Sequence, residues 1–357
     1  MPVTAPHPND YGDWLAEYRA VRETAGVFDL SARSRLCLVG ADRARFLHGQ
    51  VTNDIKRLKP GEGCYAAIVT AKGKMESDVN IFALQDELLL DFEPGLAEKI
   101  SQRLEKYIVA DDVQIVDAAP HYGVLSVQGP KAETVVQHLN LFSQVPAQRF
   151  GSMKITDPTF GEIYLANHAR LSNFEIGNRK SEIGNQKGFD LFVPHNTFHA
   201  FTSKLIDAVQ SIGGRQCGQQ AFETARIEAG VPRFGIDMDE TNLPLECGIE
   251  QQAISYKKGC YIGQEVINRI HSIGHVNKEL RMLRLAPGLK SLPVKGDKLF
   301  HAGKEAGYIT SATASPALDA VIALGYVRRE VNQAGTELTL KTAAAEGSAQ
   351  IVGAPAG

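Results

Sequence analysis

Apolar positions recur in two rhythms along this chain, one of period near 3.6 and one of period 2, and the balance between them shifts late in the sequence. Over residues 13–23, Leu15, Tyr18 and Val21 form a partial apolar stripe that predicts a helix. A strand at 35–39 follows, then a short helix through Phe46 and Leu47, with Asp42 as its N-cap and Gly49 as its stop. Residues 64–70 and 76–84 read as strands joined by a turn at Lys72-Gly73-Lys74. Residues 88–92 are strand-like and 96–107 read as an amphipathic helix. Such an order, without regular βαβ spacing, predicts α+β sheets with helices on one face. Beyond residue 275 short strands follow one another at roughly 10-residue spacing, at 307–311, 320–327 and 337–340, which predicts a small all-β barrel or sandwich. The Ala/Gly-rich end after Lys341 is expected to fray. Glu-Ile-Gly-Asn occurs at 175–178 and again at 182–185, and 172–188 reads as a polar surface insertion between strands at 162–167 and 189–193.

Composition narrows the function classes. A length of 357 residues fits two or three domains. With 38 basic and 41 acidic residues the net charge is −3, which argues against a protein held to nucleic acid by phosphate neutralisation. No apolar run approaches the ~20 residues of a membrane span, and the polar, proline-broken start carries no secretory signal. A cytoplasmic protein with no membrane partner is expected. The five cysteines, Cys37, Cys64, Cys217, Cys247 and Cys260, are odd in number and widely spaced. They predict neither a disulfide framework nor a metal site, and no cluster held by four thiolates of this chain. Phosphate-loop, dinucleotide, zincin and nucleophile-elbow motifs are all missing. Chemistry is left to scattered side chains or an organic cofactor.

Three stretches could carry it. The first, residues 218–230, is a helix stopped by Gly230. Glu228 shares its small-residue face with Ala221 and Ala225, about 20° and 60° away by helical geometry. In the last turn the helix dipole disfavours an anion, so this carboxylate needs external donors. These are either a ligand's parallel N–H groups or an arginine such as Arg226 or Arg233. The second is the strand in which Glu76, Asp78 and Asn80 alternate with Ser77, Val79 and Ile81. Its polar side is either a solvated face or a place where Asp78 meets a ligand amine. The third is Lys257-Lys258-Gly259-Cys260-Tyr261-Ile262-Gly263-Gln264-Glu265, which leads into a helix. Two lysines and a nearby helix N-terminus would favour a Cys260 thiolate; the alternative is a buried cysteine acting as a small hydrophobe.

Residues 258–265 also resemble the hallmark of the YgfZ-type folate-binding proteins, which are relatives of the glycine-cleavage T-protein (aminomethyltransferase) and assist iron–sulfur enzymes. The likeness extends to Gly26-Val27-Phe28-Asp29-Leu30-Ser31 and to the run from Phe46 to Asp54. It continues through Arg226-Ile227-Glu228-Ala229-Gly230-Val231-Pro232-Arg233-Phe234-Gly235 and the barrel blocks around Gly307-Tyr308 and Leu324-Gly325-Tyr326. It covers roughly residues 20–330, with 172–188 as the main departure.

The resemblance implies two α+β (ferredoxin-like) units around a folate pocket plus a C-terminal small β-barrel. It divides the chain into the folate-binding region at 1–245, the motif segment at 246–274, the barrel at 275–345 and a flexible tail at 346–357. The implied cofactor is tetrahydrofolate. Glu228 would hold the pterin, Asp78 would lie beside the nitrogens that receive the one-carbon unit, Phe234 would pack on the rings, and Cys260 would be the family's characteristic thiol. Three functions follow. The first is a tetrahydrofolate-binding factor serving iron–sulfur client enzymes. The second is a true aminomethyltransferase or related demethylating enzyme, and the third a folate- or protein-binding module without turnover. T-proteins carry Asp-Phe where this chain has Cys260-Tyr261, which favours the first reading.

Overall fold

The computed structural model of the chain describes residues 8–171, 187–289 and 291–354. The chain opens with α1 (Trp14–Glu23), capped by the Asp13 side chain, which accepts from the Ala16 N–H at 3.0 Å, and a short strand β1 (Gly26–Asp29). A first unit then runs β2 (Ser34–Val39), α2 (Arg43–Gln50), β3 (Gly63–Val69), β4 (Met75–Ala83), β5 (Glu87–Phe92), α3 (Ala97–Glu105) and β6 (Gln114–Asp117). A second unit repeats that order: β7 (Tyr122–Gly129), α4 (Ala132–His138), β8 (Ser152–Asp157), β9 (Gly161–Asn167), β10 (Lys187–Pro194), α5 (Phe198–Gln210) and β11 (Arg215–Gln216).

The sheets share one plan. The first is ordered β3-β4-β5-β2-β6 and the second β11-β1-β7-β10-β9-β8. Each is the β-α-β-β-α-β arrangement with an added edge strand. In the second sheet β1 also wedges between β7 and β11, and it runs parallel to β11. The N-terminal segment therefore belongs to the second unit in space. Helices cover one face of each sheet over separate apolar cores, around Leu38, Ile81 and Leu90 in one and around Val127, Leu165 and Leu191 in the other. The uncovered faces meet through Phe82, Phe150 and Phe192.

Next come α6 (Gln219–Glu228), α7 (Glu250–Ala253) and α8 (Gln264–Ile273). The small residues Ala221 and Ala225 let α6 pack closely on Tyr18 and Val21 of α1. Gly230, at φ 68°, takes the left-handed conformation that ends α6. The closed barrel is built from β12 (Lys278–Leu285), β13 (Lys298–His301), β14 (Lys304–Ser315), β15 (Ala320–Arg328), β16 (Glu337–Lys341) and β17 (Glu346–Gly353). Among the described residues, no helix is long and apolar enough to cross a membrane.

Two local expectations are corrected. Residues 346–353, expected as a flexible tail, form β17 between β12 and β16, with Ala349 and Ile351 buried inside the barrel. Alternating small and apolar residues suffice for a strand when both neighbours are already in place. Asp42 does precede α2, but its carboxylate turns to Arg45 and to the Asp112 N–H instead of the helix, and α2 runs through Gly49 to Gln50. The expected insertion at 172–188 lies, apart from its last two residues, outside the described residues; Lys187 and Gly188 open β10.

Candidate functional site

Strand alternation decides what the two sheets show each other. In the first sheet Leu36, Leu38, Val79, Ile81 and Leu90 point to the helices. Their neighbours face the second sheet, and the register sets Tyr65, Asn80, Asp91 and Arg35 in one row. Asp78 and Asn80, open to the solvated-face reading, therefore line the space between the sheets. At one end this space widens into a cleft bordered by Tyr65, Asp78, Asn80 and Glu93 of the first unit. Phe150, His168 and Arg170 border it from the second, and Phe222 and Arg226 of α6 complete the wall.

A chain of buried charges forms the floor. Asp91 is fully buried and accepts from Arg33 Nε at 2.8 Å, Arg170 Nη2 at 2.8 Å and Asn80 Nδ2 at 3.0 Å. Despite its burial, these guanidinium groups hold its carboxyl well below the usual carboxylate range. Arg170 continues to Asp190 at 2.7 Å, and Asp190 binds His168 Nδ1 at 2.8 Å. Burial, reinforced by Arg170, lowers His168 to about 4, which keeps it neutral. Arg33 also reaches Glu93 at 2.5 Å, and Arg233 holds the other Glu93 oxygen at 2.7 Å. The two units are thus joined by paired charges whose removal singly would strand a partner.

Asp78 differs from its neighbours. Its Oδ2 accepts from the Tyr65 hydroxyl at 2.9 Å, while Oδ1 is sealed from solvent and has no hydrogen-bond partner among the described residues. Burial first, then the Glu93 charge, raise its pKa to about 6. A buried oxygen left without a donor on the wall of a cleft is unusual and calls for a ligand's N–H or for a proton.

The remaining sequence candidates lie elsewhere. Glu228 does not border the cleft. Its carboxylate is buried between α6, α1 and the barrel, taking the Tyr18 hydroxyl at 2.7 and 2.8 Å, the Ser315 hydroxyl at 2.5 Å and Arg22. The external donors demanded by its place in the last helical turn come from the protein, and the arginine is Arg22 rather than Arg226 or Arg233. Those two instead hold Asp237, Glu223 and Glu93. Glu228→Gln is expected to lower unfolding stability by about 1–3 kcal/mol in chemical denaturation. Phe234 is buried in a core with Val69, Met75 and Met238 rather than set on the cleft. The aromatic rings on the cleft are Tyr65, Phe150 and Phe222.

Cys260 is exposed, on the loop between α7 and α8, and does not border the cleft. The other cysteines are buried or half-buried, and burial pushes the thiols of Cys37, Cys64, Cys217 and Cys247 up. The loop is clamped to the end of α2. Lys258 is buried and donates to the carbonyls of His48, Val51 and Asn53 at 2.5–2.7 Å, and the Ile262 N–H reaches Gly49 at 3.1 Å. One of the two lysines expected beside the thiol is thus committed to backbone. Sequence reasoning missed Arg33, Tyr65, Glu93 and Arg170, whose partners lie up to 140 residues away in the chain.

Two sheets of equal plan around a cleft, with a β-barrel docked against the helix that walls it, define a three-lobed α+β protein with a cleft between lobes. The chain belongs to the glycine cleavage T-protein family: the GCVT N-terminal domain matches residues 5–258, and the glycine cleavage T-protein C-terminal barrel domain matches residues 278–356. It is 26% identical to the aminomethyltransferase of Halalkalibacterium halodurans, over 97% of this chain and 93% of that protein. It is 27% identical to that of Bacillus subtilis, over 92% and 88%. In structure it resembles aminomethyltransferase T of the glycine cleavage system from Bartonella henselae, with TM-score 0.80 and 20% identity over 95% of this chain and 88% of that one. The YgfZ branch within the superfamily is not singled out by these likenesses, and the aminomethyltransferase reading gains on the iron–sulfur one.

Proposed function

We propose that this protein is a tetrahydrofolate-dependent one-carbon transferase of aminomethyltransferase type, with the cleft between the sheets as its active site. The unpartnered Oδ1 of Asp78 carries the reading. Bound there, tetrahydrofolate would supply the amines that accept a one-carbon unit. Asp78, titrating near neutrality, would orient one amine and hold or release its proton, and Tyr65 fixes the carboxylate through Oδ2. Tyr65, Phe150 and Phe222 offer faces for the ring system.

The test is ammonia release from an aminomethyl-loaded lipoyl carrier protein, with and without tetrahydrofolate. Folate-dependent release is expected; no release together with no measurable folate binding overturns the proposal. A second reading, assistance to iron–sulfur client enzymes, is favoured by the exposed Cys260 outside the cleft. Under the transfer reading Cys260→Ser keeps ammonia release within about twofold of wild type. If the same variant instead fails to restore iron–sulfur enzyme activity in a strain lacking its own factor, the second reading prevails.

A further inference from the structure

The space between the sheets has a second opening. At the end away from the cleft, beyond Phe82 and Phe150, it forms a cavity of about 300 Å³. That volume is at the lower edge of small-molecule pockets, ~300–1,000 Å³. Its walls are mainly apolar, including Leu89, Val116 and Phe192, and Arg35 lines it.

Arg35 is 1% exposed, and every hydrogen bond it makes goes to a carbonyl. Nη1 donates to Ser31 and Arg33, and Nη2 to Ser31, Ala119 and Tyr122. Nε has no partner among the described residues. Its neighbours Arg33 and Arg170 each hold carboxylates, whereas Arg35 makes no ion pair among the described residues. Arg35 stands across the strand pair from Asp91 yet makes no direct ion pair with it, and an apolar cavity alongside gives an anion a route to the guanidinium. The cavity's own carboxylate, Glu87, lies across from Val39, four residues along β2 from Arg35, so the two charges mark opposite ends.

We propose that this cavity is a second ligand site, for a small aromatic or branched aliphatic monocarboxylate whose carboxylate pairs with Arg35 and whose apolar body lies against Leu89, Val116 and Phe192. The site is separate from the folate cleft and does not depend on the transfer reading. The guanidinium selects the anion, and Glu87 repels a ligand entering the wrong way round.

The probe is 1-naphthoate, titrated calorimetrically into the full chain, with 1-naphthamide as its neutral counterpart. Val116→Trp tests the place, because this residue stands on the edge strand β6, is 42% exposed and can accept a larger side chain that fills the cavity. Saturable 1:1 binding of naphthoate is expected, weakened about tenfold or more in Val116→Trp and for the amide. The unfolding midpoint of the variant should match wild type, and saturating tetrahydrofolate should not displace the probe. Absence of saturable binding up to roughly millimolar naphthoate, equal affinity for the amide, undiminished binding by the folded variant, or displacement by tetrahydrofolate would each overturn the proposal.

Discussion

Asp78→Asn is expected to stabilise the protein at neutral pH while disabling the cleft. The native carboxyl titrates near 6 rather than 3.8 because burial and Glu93 oppose its charge. A raised pKa means that the native state holds its proton more tightly than the unfolded chain does. The favourable contribution is complete below about 3.8, declines as pH rises, and is gone once pH passes the native value near 6. At pH 7.5 the ionised group is therefore a liability of about 2–3 kcal/mol, and asparagine removes it. Thermal unfolding of the two proteins from pH 4 to 8 checks this: the advantage of the variant should be near zero at pH 4, grow towards pH 6 and level off by about 7. In the ammonia-release assay the same substitution should cost about 10²-fold or more, the scale of losing a positioned acid–base group. A variant both less stable and fully active would show that Asp78 is an ordinary structural residue.

Asp91→Ala is expected to have the opposite sign and a larger size. Asp91 joins Arg33 of the first unit to Arg170 of the second and also holds Asn80. Its removal leaves two buried guanidinium groups short of an anion and should cost about 3–5 kcal/mol. Because the native pKa of Asp91 is depressed, its contribution is complete above the unfolded value near 3.8 and is lost only as pH falls through the much lower native value. The deficit of the variant should therefore be flat from pH 5 to 8, unlike the pH-dependent advantage of Asp78→Asn. His168 adds a shared trend in both proteins: lowered to about 4, it makes the unfolded chain the better proton acceptor as pH drops below about 6.5, so stability falls on that side. Chemical denaturation at three pH values separates these contributions. A loss smaller than about 1 kcal/mol, typical of exposed pairs, would mean that the floor of the cleft is solvated.

The sequence by itself determined part of the elements, among them α1, α3, α6 and the β3–β4 hairpin, because periodicity, the Gly230 stop and the Lys72-Gly73-Lys74 turn are local instructions carried by neighbouring residues; β1, β6, β7, β8, α4 and α5 were not read from it. It also separated the β-rich end from the α+β body, and it offered Asp78 and Cys260 as candidates without choosing between a chemical and a structural role. It went astray where an instruction needed a distant partner. The carboxylate of Glu228 required donors, but only the packing of α1 and β14 against α6 supplied Tyr18, Arg22 and Ser315. Residues 346–353 carry a weak strand pattern that becomes β17 because β12 and β16 present unpaired edges. Which side of β4 faces water could not be read from alternation, since a polar row looks the same whether solvent or a second sheet lies over it. Only the tertiary structure set the two uncovered sheet faces together. That juxtaposition turned Asp78 into a buried carboxylate with a free oxygen, made Asp91 the junction of two units, and left Arg35 beside a cavity with no direct ion pair among the described residues.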